Sequence, residues 1–343
     1  MSKKIDHKTG STSSPQVVLT GDRPTGRLHL GHYVGSIMNR LELQDKNSVF
    51  ILIADLHALT TNPDTSKMGG NVLDLVIDQL ACGLDPQKVT FFIQSQIPEI
   101  SELAIIFSML VSKPTVERVP TLKDILRDLK IENPSMGLIN YPVLQAADIL
   151  MAKAGLVPVG KDQASHIELA REIAGRFNSL YGEVFPVPEP LIPKDHGTLV
   201  GTDGKAKMSK SLGNTIFLSD SSEEVEKKVM AMYTDPGHVH KEDPGRVEGN
   251  TVFSYLDVFD SRKEEVAELK KKYEQGGLGD VEIKKRLIGI LNELLAPIRE
   301  KREYLAKDPK AIMEILEEGT KKVRKIAKET LKEVRQAMKI NYF

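Results

Sequence analysis

The 343-residue sequence holds one cysteine, Cys82, which excludes an intrachain disulfide and any multi-cysteine zinc centre. Cys82 follows Leu80-Ala81, so a buried, inert thiol is expected there, not a nucleophile. Tryptophan is absent, but it is rare everywhere and its absence excludes nothing. No apolar run approaches the ~18 residues of a membrane span; the longest, 49–54 and 103–111, are short. Charge of one sign is also missing: 47 Lys and Arg against 48 Asp and Glu leave a net charge of -1. A global basic field for nucleic acid is thereby excluded, while a local basic face is not. The first fifteen residues are rich in Lys, Ser and Thr and lack the apolar segment of a signal peptide. They read as a polar leader, and a soluble, cytoplasmic protein that enters no membrane is expected.

What is present is ordinary globular composition, 40% apolar and 28% charged. The length exceeds the usual ~100–200 residues per domain, so two domains or one elaborated domain is expected. Short β-branched runs at 16–20, 48–54, 89–94 and 157–159 read as strands apolar on both faces. Between and after them, residues 31–44, 71–81, 141–154 and 168–177 carry helical spacing. That alternation predicts an α/β fold with a Rossmann-like, doubly wound parallel sheet. From residue 221 onward the pattern is helical: 221–232, 255–272, 279–305 with a kink at Pro297, and 311–338, with Asp280 as an N-cap. The expected division is a leader over 1–15, a nucleotide- and amino-acid-binding domain over 16–215, and an all-helical C-terminal domain over 216–343.

The first βα turn reads Thr20-Gly21-Asp22-Arg23-Pro24-Thr25-Gly26-Arg27-Leu28-His29-Leu30-Gly31-His32. Its glycine spacing is not that of a dinucleotide fold, and Arg27-Leu28 stands where a P-loop needs Lys-Ser/Thr. The loop 155–162 is a second near miss, with Gly155, Gly160 and Lys161 in place but Asp162 in the last position. His29 and His32 are three apart at a helix start, where ring N–H groups can face an anion at the positive end of the helix dipole. Gly31 leaves room for a flat ring against the backbone. The same residues also read as packing histidines or half of a metal site, although no further ligands lie nearby. The segment Lys207-Met208-Ser209-Lys210-Ser211 offers two cations and two hydroxyls to a polyanion such as pyrophosphate; otherwise it is a solvated basic loop.

Together, in this order and ~180 residues apart, the His-Leu-Gly-His and Lys-Met-Ser-Lys-Ser segments resemble the two signatures of class I aminoacyl-tRNA synthetases. The stretch from Tyr141 to Leu150 (Tyr-Pro-Val-Leu-Gln-Ala-Ala-Asp-Ile-Leu) is similar to the amino-acid-pocket helix of the tryptophanyl and tyrosyl enzymes. Val157-Pro158-Val159-Gly160-Lys161-Asp162-Gln163, with His166-Ile167-Glu168-Leu169-Ala170-Arg171-Glu172, resembles the tryptophanyl pattern in particular. The opening Thr-Gly-Asp-Arg-Pro-Thr-Gly and the later Gly276-Gly277-Leu278-Gly279-Asp280 resemble one bacterial branch of tryptophanyl-tRNA synthetases. Many bacterial members carry methionine where this sequence has Gln145.

The resemblance implies an ATP-dependent, AMP-forming ligase. It would join L-tryptophan to its tRNA through tryptophanyl-adenylate, as a homodimer with 103–111 in the interface or else in the core. It implies that Arg23, Pro24 and Thr25 hold phosphate, and that His29 and His32 donate to the α-phosphate or ribose. Gly31 would admit adenine, and Gly160, Lys161 and Asp162 would fix adenosine. Gln163 would bind the amino-acid head group. Lys207 and Lys210 would neutralise leaving pyrophosphate, with Met208, Ser209 and Ser211 shaping that loop. Mg2+ is expected on the β- and γ-phosphates, with no protein ligand. Tyr141, Gln145 and Asp148, at i, i+4 and i+7, place a phenol, an amide and a carboxylate on one helix face. Asp148 can accept the indole N–H, a donor only. Residues 320–343 carry eight Lys/Arg against two Glu, a face for the tRNA backbone or simply a solvated one. A tyrosyl-tRNA ligase, a small-molecule nucleotidylyltransferase and a non-catalytic RNA-binding relative are the competing readings.

Overall fold

The sheet has five parallel strands in the order β3-β2-β1-β4-β5: β1 Val17–Asp22, β2 Ser48–Ile53, β3 Val89–Ile93, β4 Leu156–Pro158 and β5 Glu189–Leu191. Val18 faces Val49 and Leu156 across its two ladders, and Val49 faces Val89. The computed structural model describes residues 16–160, 163–192 and 198–342; the expected leader over 1–15 and the site residues Lys161 and Asp162 lie outside them.

Side chains alternate across the strands, so each face feeds its own core. Val18, Val49, Ile51 and Ile53 pack with the helix Met68–Ala81 and the segments following β1. Those segments are Leu30–His32, a π turn Tyr33–Ile37, and Met38–Leu43. Leu19, Phe50, Leu52 and Phe92 pack with the helices Pro98–Ser108, Met136–Met151 and Ala164–Tyr181. Strand order reverses direction at β1, which places the crevice for ligands at the carboxyl ends of β1 and β4.

From Ser222 the chain is largely helical, as its pattern predicts, apart from turns and loop at 231–250. Ser222–Met230 opens with a Ser221/Glu224 capping box. Thr251–Phe259, Lys263–Gln275, Asp280–Ala306 and Pro309–Ala337 follow. Ile283, Leu287, Leu291 and Leu295 make one stripe of the 27-residue Asp280–Ala306 helix, which runs through Pro297, and they join the core on the first face of the sheet.

The final helix does not stay within the helical region. Ile312 and Leu316 enter the first core, whereas Val323, Ala327, Leu331 and Val334 enter the second. Between them the helix crosses the open edge of β3. There Thr320 Oγ1 accepts the Ile93 N–H at 3.1 Å. A Cβ on Gly319 would lie 1.9 Å from the Phe91 carbonyl oxygen, so only glycine permits the crossing.

Several expectations need correction. β5, three residues with a central proline, carries no strand pattern, and the helices Pro98–Ser108, Lys113–Glu117 and Pro120–Asp128 went unassigned. The expected 255–272 helix is two helices, broken where the Asp260 carboxylate accepts the Arg262 N–H at 3.0 Å. Gly279, not Asp280, is the N-cap of its helix, because Asp280 accepts from Thr234 and Tyr273 instead.

Candidate active site

β1 ends at Asp22, and the turn that follows carries the histidine segment into the crevice. His29 is the N-cap: its Nδ1 accepts the Gly31 N–H at 3.1 Å, and its own N–H donates to His32 Nδ1 at 3.3 Å. With both Nδ1 atoms accepting, each neutral ring carries its proton on Nε2, leaving two outward donors. The ring centroids are 3.8 Å apart. Burial, then His32, Lys210 and Lys207 lower His29 to about 3. Burial likewise lowers His32 to about 4, against the pull of Asp22 and with Lys210, Arg40 and Lys207 adding to the effect. Both rings are therefore neutral donors at neutral pH.

Beneath them is a buried ion pair. Arg40, 1% exposed, donates to Thr20 Oγ1, Asp22 Oδ2 and Gln79 Oε1. Burial alone would raise the Asp22 carboxyl, but Arg40, His32 and Lys210 hold it below its ordinary value.

The lysine segment folds onto this turn. Its approach is a tight hairpin, Val200 bridging Lys207 and Met208 N–H donating to Leu199 at 3.1 Å. Gly213, with φ 66°, closes the 3-10 turn Lys210–Leu212. Ser209 N–H donates to Asn214 Oδ1 at 2.8 Å, and Ser209 and Ser211 hydroxyls lie 3.0 Å apart. Lys210 Nζ donates to the Thr25 and Gly26 carbonyls at 3.2 and 3.0 Å. Burial lowers its ammonium, against Asp78 and Asp22. Met208, 3% exposed, sets its sulfur 3.3 Å from the Gly31 N–H. Lys207 is exposed beside the histidines. Arg23 and Thr25 are exposed, whereas Pro24 is buried.

The helix Met136–Met151 carries Tyr141, Gln145 and Asp148. Asp148 is 1% exposed; Oδ2 lies 2.8 Å from His57 Nε2, and both oxygens accept from Gln94 Nε2, at 2.8 and 2.9 Å. Burial raises its carboxyl above the ordinary value, against His57 and Gln94. Tyr141 Oη donates to Thr121 at 3.0 Å and approaches His166 Nε2 at 3.3 Å. Gln145 is half-buried. Gly160 ends the β4 side, its carbonyl accepting the N–H of Gln163, which opens the helix Ala164–Tyr181. The structure thus brings the histidine and lysine segments into contact, while Tyr141 and Asp148 are bonded to Thr121, His166, His57 and Gln94.

Sequence reasoning missed Asp22, Arg40, His57 and Gln94. Asp22, His57 and Gln94 sit at or just past the carboxyl ends of β1, β2 and β3, a position that marks ligand sites in open parallel sheets. Arg40 had no comparable signal, since its partners are 18 to 39 positions away. Among the described residues no group of three or more His, Cys, Asp or Glu could hold a metal ion, and no helix is long and apolar enough to cross a membrane.

This geometry agrees with what the chain resembles. A family model described as tRNA synthetases class I (W and Y) matches residues 11–296. A tryptophan–tRNA ligase of Treponema pallidum is 52% identical, covering 94% of this chain and 96% of its own length. One from Borreliella burgdorferi is 51% identical, covering 93% and 92%. Among solved structures, the tryptophanyl-tRNA synthetase of Campylobacter jejuni complexed with ADP and tryptophan superposes with a TM-score of 0.83 at 38% identity, covering 94% of this chain and 99% of that one. The chain belongs to the tryptophan and tyrosine family of class I tRNA synthetases.

Proposed function

We propose that this chain is a tryptophan–tRNA ligase. The observation that carries the reading is the contact between the two signature segments, Met208 on Gly31 and Lys210 on Thr25 and Gly26. It follows β1, where the strand order of the sheet reverses. The names and coverage of the relatives support the same reading.

In this reading the tryptophan carboxylate attacks the α-phosphate of ATP in line. The bond to the β-phosphate breaks, and pyrophosphate leaves. The terminal ribose hydroxyl of tRNA(Trp) then takes the aminoacyl group and AMP departs. The first step asks for positioning and charge stabilisation. The Nε2–H groups of His29 and His32 supply neutral donors to the α-phosphate or ribose, and Lys207 and Lys210 supply charge to the leaving pyrophosphate. Arg23, Pro24 and Thr25 line the phosphate path, with Gly31, Gly160, Lys161 and Asp162 on the adenosine and Met208, Ser209 and Ser211 forming the loop above it. Tyr141, Gln145, Asp148 and Gln163 take the amino acid, Asp148 accepting the indole N–H.

The cradle is cationic, and the carboxylates Asp22 and Asp78 beside it are bound to Arg40 and Arg302. Mg2+ therefore belongs with the phosphates of the incoming nucleotide as part of the substrate. We assign 16–215 to catalysis and 216–343 to anticodon recognition, in a cytoplasmic homodimer. Of the stretch 103–111, Leu103, Phe107 and Leu110 are core, whereas Ile105 and Met109 are 60% and 73% exposed; a second copy would cover these two.

ATP–pyrophosphate exchange with each of the twenty amino acids tests the reading. Tryptophan alone should support exchange. Exchange with tyrosine alone would move the chain to the tyrosyl branch, and exchange with no amino acid would end the ligase reading.

A further inference from the structure

One helix of the C-terminal region bonds residues that adjoin both signature segments. Arg299 and Arg302 lie three positions apart in the Asp280–Ala306 helix and so share a face. Arg302 Nε donates to Asp78 Oδ1 at 2.6 Å, and its terminal nitrogen donates to Asp74 Oδ1 at 2.5 Å. The Asp78 side chain is fully buried, and its other oxygen accepts the Leu28 N–H at 2.7 Å. Leu28 immediately precedes His29. Its carbonyl accepts the Leu218 N–H at 3.0 Å, and Leu30 N–H donates to Ile216 at 3.0 Å. The run leaving the lysine loop is thus laced to the histidine segment. Arg299 grips the end of that same run, donating to the Asp220 carbonyl at 3.1 Å and to Ser222 Oγ at 3.3 Å.

A buried carboxylate keeps its charge only when it is paired and hydrogen-bonded. Asp78 has a backbone partner on one oxygen and an arginine on the other. Burial raises the Asp78 carboxyl above its ordinary value, and the Leu28 N–H and Arg302 work against that rise, which keeps the Leu28 bond charge-assisted, short and directional. Without Arg302, burial favours the neutral acid and the Leu28 anchor slackens, one residue from the ring that caps the site. Contacts that place reacting groups within ångströms act on the transition state more than on ground-state binding.

We propose that Arg302, acting through Asp78, and Arg299, acting through Asp220 and Ser222, are positioning residues that make the helical region set the geometry of both signature segments for amino-acid activation. The inference rests on the ligase reading above.

The test is tryptophan-dependent ATP–pyrophosphate exchange by the full chain, with kcat and KM separated. Arg302→Met should lower kcat roughly 10- to 100-fold with the tryptophan KM nearly unchanged, and Arg302→Lys should recover part of the loss. Arg286 lies on the same helix but pairs with Asp260 inside the helical region. Arg286→Met therefore controls for weakening of the helix and should leave kcat at the wild-type level. Should Arg302→Met fail to fold, Arg302→Lys carries the test, with a reduced kcat at wild-type KM expected. A wild-type kcat in the Arg302 variants overturns the inference, as does an equal loss in Arg286→Met. Exchange by the wild type with no amino acid defeats the ligase reading instead, so the two failures are distinct.

Discussion

Lys210 donates its ammonium to the backbone carbonyl of Thr25, 185 positions earlier in the chain, and so pins the lysine loop onto the histidine turn. Half-buried cations aimed at backbone carbonyls are available to a stronger acceptor when one arrives. A polyphosphate in the crevice is such an acceptor. Lys207→Ala and Lys210→Ala should each raise the activation barrier by ~2–4 kcal/mol through the lost transition-state contact, with tryptophan affinity nearly unchanged. Exchange at the wild-type rate by either variant would remove that lysine from catalysis. Lys210→Ala should also loosen the loop, read as faster proteolysis between Gly201 and Gly213.

Asp148→Ala should raise the tryptophan KM and lower stability. It deprives Gln94 and His57 of their acceptor, and each buried donor left unpaired costs about 1–3 kcal/mol. The informative comparison is tryptophan against its benzothiophene analogue, which keeps the shape and lacks the N–H. Wild type should favour tryptophan strongly and the variant should not. Equal discrimination by both would show that Asp148 is not the indole acceptor.

The two active-site histidines give a pH signature whose sign is fixed. Their folded values, about 3 for His29 and about 4 for His32, lie below the ordinary 6.5, burial being the first cause. Below pH 6.5 the unfolded chain binds protons that the folded rings refuse, so stability is full above that pH and falls as pH drops towards about 4. The ceiling is ~1.4 kcal/mol per ring per pH unit. Thermal melts between pH 7 and 4.5 should show a shallower slope for His32→Gln than for wild type. The activation rate itself should show no inflection near 6.5 from these rings.

Gly319→Ala places a methyl against the Phe91 carbonyl and forces the final helix off β3. Overpacking of this kind costs about 1–3 kcal/mol or more. A lower melting temperature is expected, and an unchanged one would mean that the helix can shift at no expense.

The basic C-terminal face divides on inspection. Lys322 donates to Thr90, while Arg324 and Arg335 pair with Glu99 and Glu102. These bases are engaged with the α/β half. Lys325, Lys328 and Lys332 are exposed at helical spacing on one face. Changing all three to Gln should weaken tRNA binding and flatten its salt dependence, by up to about 0.9 log unit of slope per lost duplex phosphate contact. Adenylate formation should continue unchanged. An unaltered salt slope would leave a solvated face.

Legibility from sequence followed the range of the interactions. Strands β1 to β3 show as apolar runs because both faces of each are buried, and β4 shows as a short Leu-Val-Pro run around the buried Val157. β5 does not show, because a strand that ends after Glu-Pro-Leu is specified by its neighbour β4 and not by its own residues. The split at Asp260 was hidden because an Asp in a helical pattern reads as a surface residue until its bonds to Arg262 and Arg286 are seen. In the site, the histidine and lysine segments were legible as motifs, and so was the Tyr141 face. Their assembly was not, since Met208 meets Gly31 across 177 positions. The fixed tautomers of His29 and His32 and the His57–Asp148–Gln94 cluster likewise exist only once the chain has folded.

The helix that crosses β3 imposes an order on biosynthesis. β3 is made early, yet its outer edge is covered by Thr320 and its neighbours, which follow 227 positions later. A nascent chain on the ribosome therefore holds four ladders of sheet with the outer edge of Val-Thr-Phe-Phe-Ile open until the Pro309–Ala337 helix has emerged. An open apolar edge of this kind templates pairing with another chain. Polypeptides stalled or cleaved before Pro309 should accordingly be recovered as aggregates, and crowded polysomes translating this message would depend on a holdase chaperone to keep neighbouring copies from joining edge to edge.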